Sequence, residues 1–525
     1  MDEAIEIIIS GTKFQNIQSI LTFFISGINS FFFYIIPFLF KIPELNNASQ
    51  IYNNETNQNY TLEYYCEVNF DNNIYTYIDK KNSINNYSFI YQLFCDKNII
   101  IIRILIFLYY LSKGISSIFF GYITDKLGRI YILFLFSVLS IITFFCLFLS
   151  LFYYYFVFIA FILIGVCSYL YIFSSLITIE YLNRNKAATI SSLNVSSGPI
   201  LAILFIILLK LFNNLHLIYI IFIILSIIIW YNIKIYFNES LYYLISRNKI
   251  NEFFHLLENI SRLNERNNLY EQINKEKYIT DKIKSFTFTA NIIDIFNYKS
   301  QYLRLISHTL LWIFSSFSFH GIFKILSFFN IFENSILLYI IFFLTSVIAQ
   351  IIIGIISDFY GRRPSLTYSF YLSSISFLIF SLTEEKLIIK KIFFYICIIS
   401  ASSLFSLLFI FSSEDFPTCI RGTVLGFLFG ISQIIALIVY YINNSLVLCL
   451  IISLTNCIAG RLVESMEDTF ELLLDDTLPE MHKNDNLKKK RYRALKCERI
   501  STGSDLYFLS SDDDNFNLET QAKYS

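Results

Sequence analysis

The sequence predicts an all-α membrane protein: twelve transmembrane helices arranged as two pseudo-symmetric six-helix halves. Three observations point there. Of 525 residues, 55% are hydrophobic and 15% charged, against about 25% charged in a soluble globular protein. The chain divides into twelve apolar runs, each about the 20 residues needed to cross a bilayer's hydrocarbon core. Finally, the charged loop GYITDKLGRI, Gly121 to Ile130, has a second version in GIISDFYGRR, which begins at Gly354. The shift from Asp125 to Asp358 equals, to within one residue, the shift from Glu180 to Glu414. Glu180 precedes Arg184 and Lys186, and Glu414 precedes Arg421. Two unlike motifs related by one shift mark an internal duplication.

In chain order the runs lie near 17–40, 99–122, 131–151, 153–179, 188–210, 215–237, 303–325, 335–357, 365–383, 391–413, 423–441 and 444–461. Residues 1–237 form the first half and 303–461 the second. Between spans one and two, the polar stretch 41–98 carries N-x-S/T sequons at Asn47, Asn54, Asn59 and Asn86. Sequons act only outside the cytosol, so this loop is expected to be extracellular and glycosylated. Lys126, Arg129, Arg184, Lys186, Arg362, Arg363 and Arg421 all fall in loops on the opposite side. That bias is the positive-inside pattern, and it puts both termini in the cytosol. Residues 238–302 are a charged linker. Within it Leu241, Leu244, Ile245, Phe253, Leu256, Leu257 and Ile260 repeat at near-helical spacing, which predicts a cytosolic helical patch. The tail 462–525 ends in an acidic stretch, Asp512 to Asp514, and is expected to be disordered. No cleavable leader is expected, since the first apolar run is long.

Of nine cysteines, most sit in apolar runs and no CxxC occurs, so no metal site is expected. Cys66 and Cys95 are free to pair if their loop faces an oxidising space. Net charge is zero, which gives no reason to expect nucleic acid as a partner. No P-loop, HExxH or nucleophile–base pair is present, so an enzyme is not expected, nor a cofactor.

In the duplicated loops Gly121, Gly128 and Gly361 allow tight turns at helix ends. Asp125 and Asp358 sit where a carboxylate accepts hydrogen bonds or faces a helix dipole. The expected ionic latches pair Asp125 with Arg129, Glu180 with Arg184, Asp358 with Arg362 and Arg363, and Glu414 with Arg421. They would hold one conformation closed and break when the halves rock. A single such loop would read as ordinary loop charge; two matched copies do not.

The paired loops resemble those of the major facilitator superfamily. More local features are similar to its organic cation and anion transporter branch. SEDFPTCIRGTVLGF, Ser413 to Phe427, resembles that branch's signature after span ten; YLRLISHTLLW resembles the start of its span seven; FNESLYYLISRNKINE resembles its stretch after span six. The sequence departs from the family at Ile130, where a basic residue is usual, and at Asn238, Leu241, Tyr242 and Tyr243. RLVESMEDT keeps only an echo of the family's L-P-E-T.

The resemblance implies a solute site at mid-membrane between the halves. Alignment through the motifs places Gln433 in span eleven, Gln350 in span eight and Ser346 where relatives carry charged residues. Neutral side chains there suggest a neutral, zwitterionic or weakly charged solute. Trp312, Ser316, Phe319 and His320 share a face of span seven by spacing. Two readings of His320 stand: a solute ligand, or a histidine packed against a neighbouring helix. Ser192 and Asn194, before Gly198-Pro199, either line the cavity or tie helices together. The expected function is a plasma-membrane secondary transporter for small organic solutes, working as a monomer in the lipid bilayer. A sugar-type carrier and a receptor-like relative are the alternatives.

Overall fold

The computed structural model describes residues 13–40, 86–91, 93, 96–181, 186–247, 249–264, 292–297, 299–328, 336–383, 387–442 and 444–469. These residues belong to one compact unit. Among them there is no strand, and twelve helices are long and apolar enough to cross a membrane. Span one is Lys13–Leu39, two Asp96–Leu127, three Arg129–Ser150, five Ala187–Phe212 and six Leu215–Tyr236. Span four is broken at Ser168 into Tyr155–Cys167 and Tyr169–Tyr181. Spans seven to twelve are Lys299–Phe328, Ile336–Tyr360, Arg362–Leu382, Leu387–Glu414, Arg421–Tyr441 and Ser445–Glu464. Asn47, Asn54, Asn59, Arg184, Cys66, Cys95 and the acidic tail lie outside the described residues.

Local chemistry sets the helix ends. The hairpin between spans five and six closes on Asn213, which adopts the left-handed conformation at φ 46°. Asn214 then accepts a hydrogen bond from His216 N and starts span six. Asn444 does the same for Leu446 N and Val447 N at the start of span twelve. Many spans carry serine and threonine without disruption, because the hydroxyl donates one turn back. Ser140 Oγ bonds Phe136 O at 2.8 Å and Thr178 Oγ1 bonds Ser174 O at 2.7 Å. Large side chains such as Phe31, Phe136, Tyr219 and Trp312 fill the interior, while Ile220, Ile224, Ile227 and Ile228 stay exposed on span six. An outward apolar face suits a lipid neighbour, which has no water to expel.

The packing repeats between the halves. Span three packs on six as nine packs on twelve; one packs on five as seven packs on eleven; two packs on four as eight packs on ten. The halves meet most extensively where span two packs on eleven and span five on eight, with span ten also against four and five. In the first, backbones touch. A Cβ added at Gly121 would lie 2.7 Å from Gly422 O and 3.0 Å from Gly426 Cα. Small residues at such a seam let helices approach with no side chain between them.

The predicted linker helix is two helices, Leu241–Ser246 and Ile250–Leu263, with a turn around Arg247. Ser240 starts the first by accepting from Tyr243 N. All seven apolar residues assigned to its inner face are buried, and the two helices touch spans four and one.

Gly121→Val places two methyl groups against backbone that cannot yield. It is expected to lower the thermal unfolding midpoint by several degrees, corresponding to about 1–3 kcal/mol of overpacking. An unchanged midpoint in purified protein would show that the seam widens without cost.

Candidate functional site

At one end of the bundle the two loop motifs form a matched pair of clusters. Gly128 and Gly361 carry positive φ, 107° and 97°, so the chain turns sharply between spans two and three and between eight and nine. The following arginines point inward and are buried. Arg129 forks onto Glu180, with Nε 3.2 Å from Oε2 and Nη2 2.9 Å from Oε1. Its Nη1 donates to Asp125 Oδ1 and to Thr124 O, each at 3.2 Å. Arg362 repeats this: it forks onto Glu414 at 3.3 Å twice and reaches Asp358 Oδ1 at 3.2 Å. It also donates to Ser357 O at 3.2 Å. A planar guanidinium matches a carboxylate with two parallel bonds, which suits it to a buried pair.

Each motif aspartate then crosses to the other half. Asp125 accepts from Gly422 N at 3.1 Å, and from Thr423 N and Thr423 Oγ1 at 2.7 Å. It thus caps the start of span eleven. Asp358 accepts from Ala188 N at 3.2 Å, Thr189 N at 2.8 Å and Thr189 Oγ1 at 2.6 Å, capping span five. The positive end of a helix and its unpaired N–H groups favour a carboxylate there. Span four ends beside Glu180 and span five starts beside Ala188, so both clusters share one end of the bundle.

Of the local pairs expected from spacing, Asp125 with Arg129 and Asp358 with Arg362 are present, while each glutamate takes the motif arginine of its own half. Glu180 takes Arg129, and Arg421 Nη1 reaches it across the halves at 3.4 Å. Arg184, the partner expected for Glu180, lies outside the described residues. Glu414 takes Arg362 and Thr469 Oγ1, the latter at 2.6 Å. Arg363 donates from its backbone N to Asp468 Oδ1 at 3.2 Å and from Nη2 to Glu464 O.

A second acid holds each turn. Glu239 accepts from Arg129 N at 2.9 Å and Ile130 N at 3.3 Å. Burial pushes its carboxyl up, against the pull of the Arg129 guanidinium. Asp468 accepts from Arg362 N at 3.1 Å in the same way. These caps come from the segments after spans six and twelve, and the sequence signal for them is the acid–hydroxyl pair Glu239-Ser240 and Asp468-Thr469.

Further along the bundle lies a chamber lined by Ser30, Phe33, Tyr34, Tyr109, Lys113 and Phe319, among others. Its free space is about 10 Å³, room for the centre of one water. Of the expected solute residues, Phe319 lines it, stacked on Phe405 at 4.3 Å between centroids. Trp312 sits behind that pair, edge-on to Phe405 and Phe409, with Nε1 2.8 Å from Ser412 Oγ. Ser316 donates to Ser432 O at 3.2 Å. His320 Nε2 lies 3.1 Å from Gln433 Oε1, and its Nδ1 lies 3.0 Å from Tyr110 Oη, which meets Tyr440 Oη at 2.7 Å. Since Gln433 Oε1 accepts, Nε2 carries the proton and Nδ1 accepts from Tyr110: a neutral ring joining span seven to span two.

Asn194 donates to Thr22 Oγ1 at 3.2 Å and Thr178 Oγ1 at 2.8 Å, tying spans one, four and five together. Ser192 accepts from Ser406 Oγ at 2.8 Å across the halves. Ser346 and Gln350 are buried one turn apart on span eight. Asn86 is buried too, its amide donating to Phe38 O at 3.1 Å, so here its side chain is not presented to solvent. His308, at the same end of span seven as the charged clusters, is fully buried, 2.8 Å from Asp415 Oδ2. Spacing also passed over Lys113, whose ammonium enters the chamber from span two. No cluster of metal-ligating side chains occurs among the described residues.

Asp125→Asn keeps the shape of the cap and removes its charge. Hydrogen bonds to a charged group contribute about 1.5–3 kcal/mol, so a cysteine at Ser117, buried beside Gly426, is expected to react roughly tenfold faster with a maleimide in the variant. Equal rates in matched backgrounds would show that the carboxylate does not hold this end.

Comparison with known proteins agrees with the architecture. A search of curated proteins by sequence finds no match. Among solved structures, the proton:xylose symporter XylE bound to 6-bromo-6-deoxy-D-glucose superposes with TM-score 0.63 at 14% identity, over 90% of this chain and 98% of that one. The partially occluded inward-open form of XylE from E. coli gives 0.56 at 13% identity, over 88% and 98%. The human organic anion transporter MFSD10 (TETRAN) gives 0.56 at 11%, over 86% and 99%. At such identities the likeness speaks for the fold. Residues 19–440 also match the family model of the Major Facilitator Superfamily; the chain is a multi-pass membrane protein belonging to that superfamily of transporters.

Proposed function

We propose that this chain is a plasma-membrane carrier for small organic solutes that works by alternating access. The carrying observation is the matched pair of crossed caps, Asp125 on span eleven and Asp358 on span five. They join the halves at one end through groups that can be rehydrated on separation. Both helices therefore keep a capped start in one state and an exposed, water-satisfied start in the other. That is the chemistry of a reversible closure. The loops bearing these charges are the cytosolic ones by the positive-inside pattern, which puts both termini in the cytosol.

The solute site is the chamber below the closure. The neutral Ser346, Gln350 and Gln433, at positions where the resembled branch carries charge, favour a solute of low net charge over a dicarboxylate. A sugar is the second reading. It draws on the fold shared with the xylose symporter and on the buried amide of Gln350. Against it, the one amide side chain of span seven, Gln301, lies in its first turn, far in sequence from the chamber residue Phe319.

Uptake into vesicles from a mixed panel of neutral, cationic, anionic and zwitterionic compounds, at two membrane potentials, tests the carrier reading. A receptor-like protein gives no flux. Asp358→Asn is expected to reach the membrane normally and to slow transport by about tenfold. A normal rate at normal surface density would remove the closure from the cycle, and a strong preference for dicarboxylates would overturn the low-charge reading.

A further inference from the structure

Lys113 is a buried lysine with no acid beside it among the described residues. Its ammonium stands over three aromatic rings, 4.9 Å from the centroid of Phe429, 5.3 Å from Phe33 and 5.5 Å from Tyr109. Among the described residues it makes no ion pair and its Nζ makes no hydrogen bond. The other arginines buried in the bundle all have acids: Arg129 has Asp125 and Glu180, Arg362 has Asp358 and Glu414, Arg421 has Glu180. Ring faces attract a cation but replace only part of its hydration. An unpaired charge at this depth is costly, and such residues mark the path of a ligand.

A second observation comes from Gln350, beside the chamber residue Tyr34. Gln350 is fully buried, and neither its Nε2 nor its Oε1 closes a hydrogen bond of normal geometry. The same holds for Tyr34 Oη and Tyr171 Oη, which neighbour it. These groups lie within reach of one another yet complete no hydrogen bond of normal geometry, which leaves donor and acceptor capacity for an additional partner. Between Lys113 and this polar group run flat walls: Phe319 stacks on Phe405 with 4° between planes and on Phe33 with 21°.

We propose that the chamber takes an organic anion of single charge with an aromatic body. Its carboxylate meets Lys113, its ring lies among Phe33, Phe319 and Phe405, and a further polar substituent satisfies Gln350 with Tyr34 and Tyr171. The proposal rests on the carrier reading and narrows its solute class. One cation balances one negative charge. A second carboxylate would face only neutral groups near Gln350, and an amine would meet the lysine's own charge. The chamber widens to admit such a body, since its present space holds one water.

The test measures thermal unfolding of the purified full-length protein in detergent with benzoate, 4-hydroxybenzoate and indole-3-acetate, and with benzamide, benzylamine and phthalate for contrast. At least one monocarboxylate is expected to raise the midpoint, with benzamide, benzylamine and phthalate inert. Lys113→Met keeps the stem and should weaken that binding by about tenfold or more, while Lys113→Arg retains it. Stabilisation that survives in Lys113→Met, equal effects of benzamide or benzylamine, or silence of all three monocarboxylates would each overturn the proposal. The wild-type preference for benzoate over benzamide decides the matter even if Lys113→Met does not fold. Binding without flux into vesicles would leave this site standing and remove the carrier reading; flux of a solute indifferent to Lys113 would do the opposite.

Discussion

The constraint behind the whole arrangement is that a buried carboxylate must be matched atom by atom. Asp125 and Asp358 lie inside a helical bundle, where an unpaired charge costs several kcal/mol. Each is matched from two sides. An arginine of its own half supplies charge, and the first N–H groups of a helix in the other half supply directed donors. The arginine alone leaves lone pairs open; the helix start alone leaves it without a counter-charge. The halves are therefore joined where the electrostatics are completed. Glu239 and Asp468 extend the scheme, because they hold the turns that aim Arg129 and Arg362. The segments following spans six and twelve thereby reach the same electrostatic unit as the loops.

The chamber obeys the opposite rule. Its one ammonium and its open amide and phenol groups are left incompletely matched by the protein itself. Structural polar groups in this chain behave differently: Asn456 binds Ser318 and Ser373, and Ser374 binds Ser453, each fully engaged between helices. The contrast separates polar residues that fasten spans from those that face the chamber. Asn194 and Ser192 fasten spans through the bonds they make, though Asn194 Oδ1 stays open, while Lys113 lines the chamber and Gln350 adjoins its Tyr34.

Much of this is written in the chain at short range. The spans follow from apolar length, and the duplication from paired loops, because both signals are local. The partners of Asp125 and Asp358 are less visible: Thr423 and Thr189 carry no mark as acceptors' mates until the helices are set side by side. Glu180 illustrates the limit. Spacing pairs it with Arg184, which lies outside the described residues, while the guanidinium it holds is that of Arg129 at the start of span three. Lys113 stands in mid-run, a visible signal; that no acid approaches it depends on the packing of other spans. The linker's buried face was legible from periodicity, but not its break near Arg247, since both helices share one apolar phase.

The seam at Gly121 has a consequence for heredity. Glycine is the smallest residue, so any missense change in its codon adds at least one carbon atom between spans two and eleven, where only backbone fits. Elsewhere in an isoleucine- and phenylalanine-rich chain, drift among apolar residues is absorbed by lipid or by soft packing. Here there is no conservative replacement, and alleles altered at this position should be scarce in any population that needs the protein.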